Sequence, residues 1–168
     1  MTFAVGIVKD VNVFEIVRHP WFISSFMAGG LAQLIKFTIA FLKTRKMNFS
    51  YLMTSGGMPS AHSSLVSALA CAVGFTEGFD APYAMIAVGL GLIVLCDAAT
   101  LRREAGKHAE LLNNIVVKMN DHFDETDRIE VRRLKERLGH KRREVVVGVV
   151  FGMTVAYCVC AIWDFWKM

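Results

Sequence analysis

The sequence predicts an all-α fold: a polytopic membrane helix bundle of about four transmembrane helices with a long cytoplasmic helical loop. Hydrophobic residues make up 54% of the 168, and mean hydropathy is +0.42. Charged residues are an ordinary 20%, yet they avoid several long stretches and crowd the segments between them. Most of the lysines and arginines lie in two of those segments. A compact soluble domain of this length has too little polar surface to cover four wholly apolar helices, so the expectation is one membrane domain, 1–168.

The elements follow in order. Met1–His19 carries Lys9, Asp10, Glu15 and Arg18 and lacks a small-residue cleavage pattern, so it does not read as a cleavable signal peptide. Phe3, Ile7, Val11, Phe14 and Val17 fall roughly on one side of a helix there, as in an interfacial segment. The first span, 21–42, would be roughly 33 Å long as a helix. The second, 61–75, is shorter and rich in Ala, Ser and Val, and the third, 82–97, is apolar up to its last residue. The fourth, 145–163, carries no charge and runs into Trp163, Phe165 and Trp166, which suit a membrane interface.

Of 19 Lys and Arg, three lie between the first two spans (Lys43, Arg45, Lys46) and twelve more in 102–143, whereas the turn 77–82 has none and carries two acids. The positive-inside rule therefore puts both basic loops in the cytoplasm and both termini outside. A bacterial inner membrane and an organelle membrane both satisfy this. The amphipathic loop 102–143 sets twelve bases against eight acids, an interleaving typical of solvated helix faces. The net charge of +4 thus points to anionic headgroups and not to nucleic acid. Within the loop, Leu111, Leu112, Ile115, Val116 and Met119 give one helical stripe and Val131, Leu134 and Leu138 a second, with a turn over 121–127. Cys71, Cys96, Cys158 and Cys160 all fall in predicted spans, without metal-ligand spacing to a histidine, and read as small packing residues.

Several residues carry chemistry. Lys36 lies inside the first span, three residues after Gln33, so both project from one face. A charge there costs about 2.5–3.5 kcal/mol at a span centre, so it either serves a function or snorkels to the interface. In 55–62 (Ser-Gly-Gly-Met-Pro-Ser-Ala-His) the glycines let backbone N–H groups converge, and Ser60 suits the cap of the next helix. A loop of that kind at a helix N-terminus favours an anion such as phosphate, with His62 beside it; the plain alternative is a membrane-entry turn. Arg102 offers a planar fork for phosphate oxygens, with Asp97 about a turn before it. His140 and Glu144 are four apart at the start of the fourth span, where the carboxylate could hold the imidazole in one tautomer. The topology brings these distant residues to one membrane face. Gly148 and Gly152 suit close helix packing, within the protomer or in a homo-oligomer.

Pro59-Ser60-Ala61-His62 resembles the Pro-Ser-Gly-His motif of type 2 phosphatidic acid phosphatases, relatives of vanadium haloperoxidases. The chain resembles more closely a divergent, small membrane branch of that superfamily. The likeness rests on Ala32-Gln33 with Lys36, the block Gly56 to His62, Asp97-Ala98 with Arg102, and Gly106 with Leu112-Asn113. It continues in Leu138-Gly139-His140 with Glu144-Val145 and Gly148, so that it spans about 28–152. The resemblance implies hydrolysis of a lipid phosphate, as a phosphomonoester or pyrophosphate, without metal or other cofactor. His140 would be the nucleophile, Glu144 its orienting carboxylate and His62 the general acid. Lys36 and Arg102, with Lys43 or Arg45, would neutralise the phosphoryl oxygens, and Gly57 and Ser60 would belong to the phosphate loop.

The sequence departs from the superfamily pattern in two places. Lys36 is followed at the first motif's spacing by Lys43, with no proline, and Arg45 lies two further on. Arg102 has the third motif's spacing to His108, whereas the carboxylate partner belongs to His140, which favours His140 as nucleophile. These departures support the rival reading, a non-catalytic membrane protein that binds lipid headgroups or a partner through the same pocket. A small transporter has little room for an aqueous path in four spans, and haloperoxidase relatives are soluble.

Overall fold

A computed structural model describes residues 13–45, 57–122, 133–134 and 142–167. Among the described residues the chain is helical and forms no strand. The helices are α1 (Val13–Arg18), α2 (Pro20–Thr44), α3 (Ala61–Glu77), α4 (Pro82–Cys96), α5 (Arg102–Asn120) and α6 (Arg142–Lys167). A five-residue π-helical segment, Asp97–Leu101, joins α4 to α5.

Local chemistry sets the helix ends. Pro20 opens α2 where a missing N–H costs nothing, and the His19 ring accepts the Trp21 N–H at 3.4 Å. Ser60 caps α3, its hydroxyl oxygen accepting the Ser63 N–H, as the sequence predicts. Gly78, at φ 95°, closes α3 in a conformation that side chains rarely adopt.

α3 is the axis of the bundle, packed against α2, α4 and α6. Its buried positions are mostly small, including Ala61, Ser63, Ser64, Ser67, Ala68, Ala72 and Gly74. Small residues let backbones approach, which is how helices associate where lipid removes any hydrophobic driving force. α6 supplies the matching glycines. A Cβ at Gly148 would lie 2.7 Å from the Ser60 carbonyl oxygen, and one at Gly152 would overlap the Ser64 carbonyl and the Ser67 hydroxyl. Ser67 also donates across the interface to the Val149 carbonyl at 3.2 Å. Cys71 and Cys160 pack in the core with Ala28, Ala68, Ala72 and Val155; Cys96 and Cys158 face outward. Large apolar residues such as Leu90, Ile93, Val150 and Ile162 are exposed. Serine and alanine inside, leucine and isoleucine outside, is the arrangement of a bundle whose solvent is hydrocarbon.

Among the described residues, three helices are long and apolar enough to cross a membrane: Pro20–Thr44, Pro82–Asn120 and Arg142–Trp166. The second predicted span corresponds to α3, whose 17 residues make about 25 Å against a hydrocarbon core of about 30 Å. α4, Pro82–Cys96, covers the third predicted span, 82–97, and the helical run does not stop there. The helix runs on to Asn120, because 96–105 contains no glycine or proline and continues into good helix formers. The loop 102–143 therefore begins as the extension of a span. A turn follows at Asp121 and His122, and 123–127 lies outside the described residues. The second predicted stripe is corrected at Leu134, which is not helical; Val131 and Leu138 lie outside the described residues. Of the predicted N-terminal segment, Val13–Arg18 is helical with Phe14 and Val17 exposed, and Phe3, Ile7 and Val11 lie outside the description.

What holds Leu134 is Asn113, buried on α5. Its carboxamide nitrogen donates to the Leu134 carbonyl and its oxygen accepts the Leu134 N–H, both at 3.0 Å. Two such bonds are together worth about 1–3 kcal/mol. Asn113→Leu is therefore expected to speed hydrogen exchange of the Leu134 amide by roughly 5- to 150-fold, read by mass spectrometry, with exchange in α3 unchanged.

Candidate active site

The site forms at the end of the bundle where α2 finishes and α3 and α6 begin. Lys36 is only 9% exposed although it lies in a membrane-crossing helix. Thr44, the last residue of α2, is eight residues further on, so the ammonium-bearing side chain starts about 12 Å inside the helix end. It does not run along the lipid face to the headgroups. Its aliphatic stem passes over Gly57, where a Cβ would sit 3.4 Å from Lys36 Cδ. Gly57 is at φ 87°, which fits glycine on both counts. The half-buried Glu144 of α6 lies near enough to act electrostatically on Lys36.

The start of α3 is locked to the start of α6. The Ser60 N–H donates to the Glu144 carbonyl at 3.1 Å, and Gly148, one turn on, abuts the Ser60 carbonyl. Ser60 is fully buried, and its hydroxyl oxygen accepts from both the N–H and the hydroxyl of Ser63. Ser60 thus builds the turn, and the amides of Ala61 and His62 at this helix N-terminus have no partner among the described residues.

His62 is exposed and takes a different direction. Around α3 it lies roughly 140° from Ser67 and 160° from Ser64, the residues that face α6. The structure therefore brings Lys36, Gly57, Ser60 and Glu144 together on the α2 and α6 sides of α3, and places His62 on the opposite flank. Leu69, two turns along, is only about 20° away from His62 in projection.

The remaining predicted residues stand as follows. Arg102 opens α5 directly after the π segment, which packs against α6 through a stretch that includes the buried Ala98. Lys43 and Arg45 are exposed at the end of α2, with Arg45 closing the helix in a left-handed conformation at φ 55°. Lys43 follows Lys36 by two turns on the same face, about 10 Å further out. His108 is exposed on α5. His140 lies outside the described residues, two positions before Arg142 opens α6. Sequence reasoning gave Asn113 no structural task; its signal was the small face Gly106, Ala109, Asn113, all three buried. Among the described residues no cluster of His, Cys, Asp and Glu could hold a metal ion.

Comparison with known proteins places this geometry in a family. The chain is 33% identical over 154 residues to the uncharacterized membrane protein YuiD of Bacillus subtilis (strain 168), covering 85% of this chain and 98% of that protein. No solved structure matches it. The Divergent PAP2 family matches residues 17–155, which includes α2, the turn at Gly57, α3 and the Glu144 end of α6. This membrane protein belongs to the Divergent PAP2 family.

Proposed function

We propose that this protein is a metal-independent lipid-phosphate phosphatase, hydrolysing a phosphomonoester or pyrophosphate on a lipid at the cytoplasmic face of a four-span bundle. The observation that carries the reading is the buried Lys36, whose stem lies over the Gly57 turn close to the N-terminus of α3. A cation kept from water near a helix N-terminus, whose first backbone amides point outward, suits a phosphoryl group.

In this reading α3 is the fourth span. The site face holds Lys43, Arg45, Arg103, Arg142 and Arg143, whereas Glu77, Asp80 and Asp164 lie at the other end. That asymmetry supports a cytoplasmic site by the positive-inside rule. A ring nitrogen of His140, oriented by Glu144, attacks phosphorus, and the bond to the lipid oxygen breaks. His62 gives its proton to the leaving alkoxide or phosphate. Lys36 and Arg102 balance the charge on the non-bridging oxygens, and water then cleaves the P–N bond to release phosphate. Lys43 and Arg45 gather anionic substrate at the surface. The phosphoryl group would sit over the α3 N-terminus, with His62 on one flank and the α6 residues on the other. An in-line displacement needs the leaving group and nucleophile on opposite sides in this way.

The test is phosphate release by the purified protein from a panel of lipid phosphates in mixed micelles, with His140→Ala alongside. Release by the parent and its loss in the variant is the expected result. The second reading, headgroup binding without turnover, is favoured by the commitment of the Ser60 hydroxyl and N–H to structural bonds. Saturable binding of lipid phosphate without release by a folded parent would establish it instead.

A further inference from the structure

Two of the four cysteines meet inside the bundle, well away from Lys36. Cys71 of α3 and Cys160 of α6 are 9% and 5% exposed and share one buried cluster with Ala28 of α2. They lie near enough to act electrostatically on each other. Gly148 abuts Ser60 and Gly152 abuts Ser64; two further four-residue steps along both helices set Cys160 beside Ala72, the neighbour of Cys71. The third group is Ser24 of α2. Its hydroxyl is fully buried, has no partner in ordinary hydrogen-bond geometry among the described residues, and lies close to Cys160. An unpaired hydroxyl in a hydrocarbon-facing bundle is costly and calls for a task. Phe75 stands one turn beyond Cys71 on α3, and Tyr157 three residues before Cys160 on α6. Both side chains are exposed, and their rings meet edge-on at 6.2 Å, spanning the level of the two thiols on the lipid side.

We propose that Cys71 and Cys160 are a thiol pair that a lipid-soluble quinone oxidises to a disulfide joining α3 to α6, with Phe75 and Tyr157 as the surface on which the quinone ring stacks. Two S–H bonds break and one S–S bond forms; the two electrons and two protons pass to the quinone, which leaves as the hydroquinone. The chemistry selects this oxidant. A charged sulfur is costly in hydrocarbon, and a reactant that takes electrons and protons together leaves no charge behind. A quinone also dissolves in the bilayer, and its flat ring suits an exposed aromatic pair. The Ser24 hydroxyl donates to the Cys160 sulfur as its proton departs, which stabilises the thiolate that must form in passing. The disulfide would tie α3 to α6 about 16 Å along the bundle from the bond between the Ser60 N–H and the Glu144 carbonyl. The thiol pair does not depend on the phosphatase reading.

The test treats the full chain in bilayer nanodiscs with a fully substituted alkyl benzoquinone, whose ring resists thiol addition. The protein is then unfolded, remaining thiols are alkylated, and the peptides are mapped by mass spectrometry. The expected product is a linked peptide pair holding Cys71 and Cys160, with the outward-facing Cys96 and Cys158 alkylated. Ser24→Ala should slow the linkage roughly tenfold, the scale of one hydrogen bond to a charged group, without lowering the melting temperature. A merely structural serine would leave that rate alone. Tyr157→Ala, at an exposed side chain, should slow oxidation by the quinone and not by diamide, a small azo oxidant that needs no stacking surface. Full alkylation of Cys71 and Cys160 after quinone treatment, or a Cys71–Cys158 linkage in their place, overturns the proposal. So do equal quinone rates in the parent and in Tyr157→Ala.

Discussion

Gly152→Val is expected to lower the melting temperature of the detergent-solubilised protein by roughly 6–12 °C, about 3 kcal/mol for a chain of this size. The added Cβ would overlap the Ser64 carbonyl and the Ser67 hydroxyl, and backbone oxygen is not a neighbour that rotates away. Relief requires α3 and α6 to separate, which costs the overpacking penalty of about 1–3 kcal/mol. Separation also breaks the bond from Ser67 to the Val149 carbonyl, about 1 kcal/mol more. Gly30→Val is the control, since nothing lies within 4 Å of its Cβ position; its expected effect is under about 1 kcal/mol, the modest propensity difference of an exposed helix site. A melting curve followed by size-exclusion chromatography distinguishes the two. Equal behaviour of both variants would mean that the α3–α6 contact is looser than described.

The largest effect on activity is expected from His140→Ala, which should reduce phosphate release by roughly 10³-fold or more if His140 forms the covalent intermediate. Lys36→Met should cost roughly 10²–10³-fold, the scale of losing one preorganised charge from a transferring group. The two differ in what accompanies the loss. Lys36 is a buried cation in a membrane helix whereas Glu144 is only half-buried and can be hydrated, so exchanging Lys36 for an apolar side chain of similar length should leave the melting temperature unchanged or raise it. Glu144→Gln should do the reverse, removing the counter-charge and lowering stability with Lys36 left uncompensated. Activity lost with stability kept, in Lys36→Met, separates a functional lysine from a packing one. Unchanged release in both Lys36→Met and His140→Ala would contradict the phosphatase reading.

Much of the architecture was legible in the chain. The apolar runs of α2, interrupted only by Lys36, and of α6 are long, and hydropathy reads such helices reliably because lipid tolerates little else. Ser60 was legible as a cap, and Gly148 and Gly152 as a close-packing pair, because each role needs a particular side chain or its absence. The continuation of the helical run beyond α4 into α5 was not legible. The change from apolar to charged sequence at Asp97 marks where the environment changes, and a helix without a breaker continues through it. Leu134 was misread because a stripe at helical spacing says nothing about a distant carboxamide that takes both of its backbone groups.

By itself the sequence determined the helical class, the membrane environment and the short list of chemically able residues, since composition, hydropathy and motif spacing are local properties. Only the tertiary structure decided how those residues face. It turned Lys36 inward over Gly57, and set the exposed His62 on the flank of α3 away from α6. Those directions follow from the rotation of α3 against α2 and α6, which the contacts of Gly29, Gly148 and Gly152 fix between residues far apart in the chain.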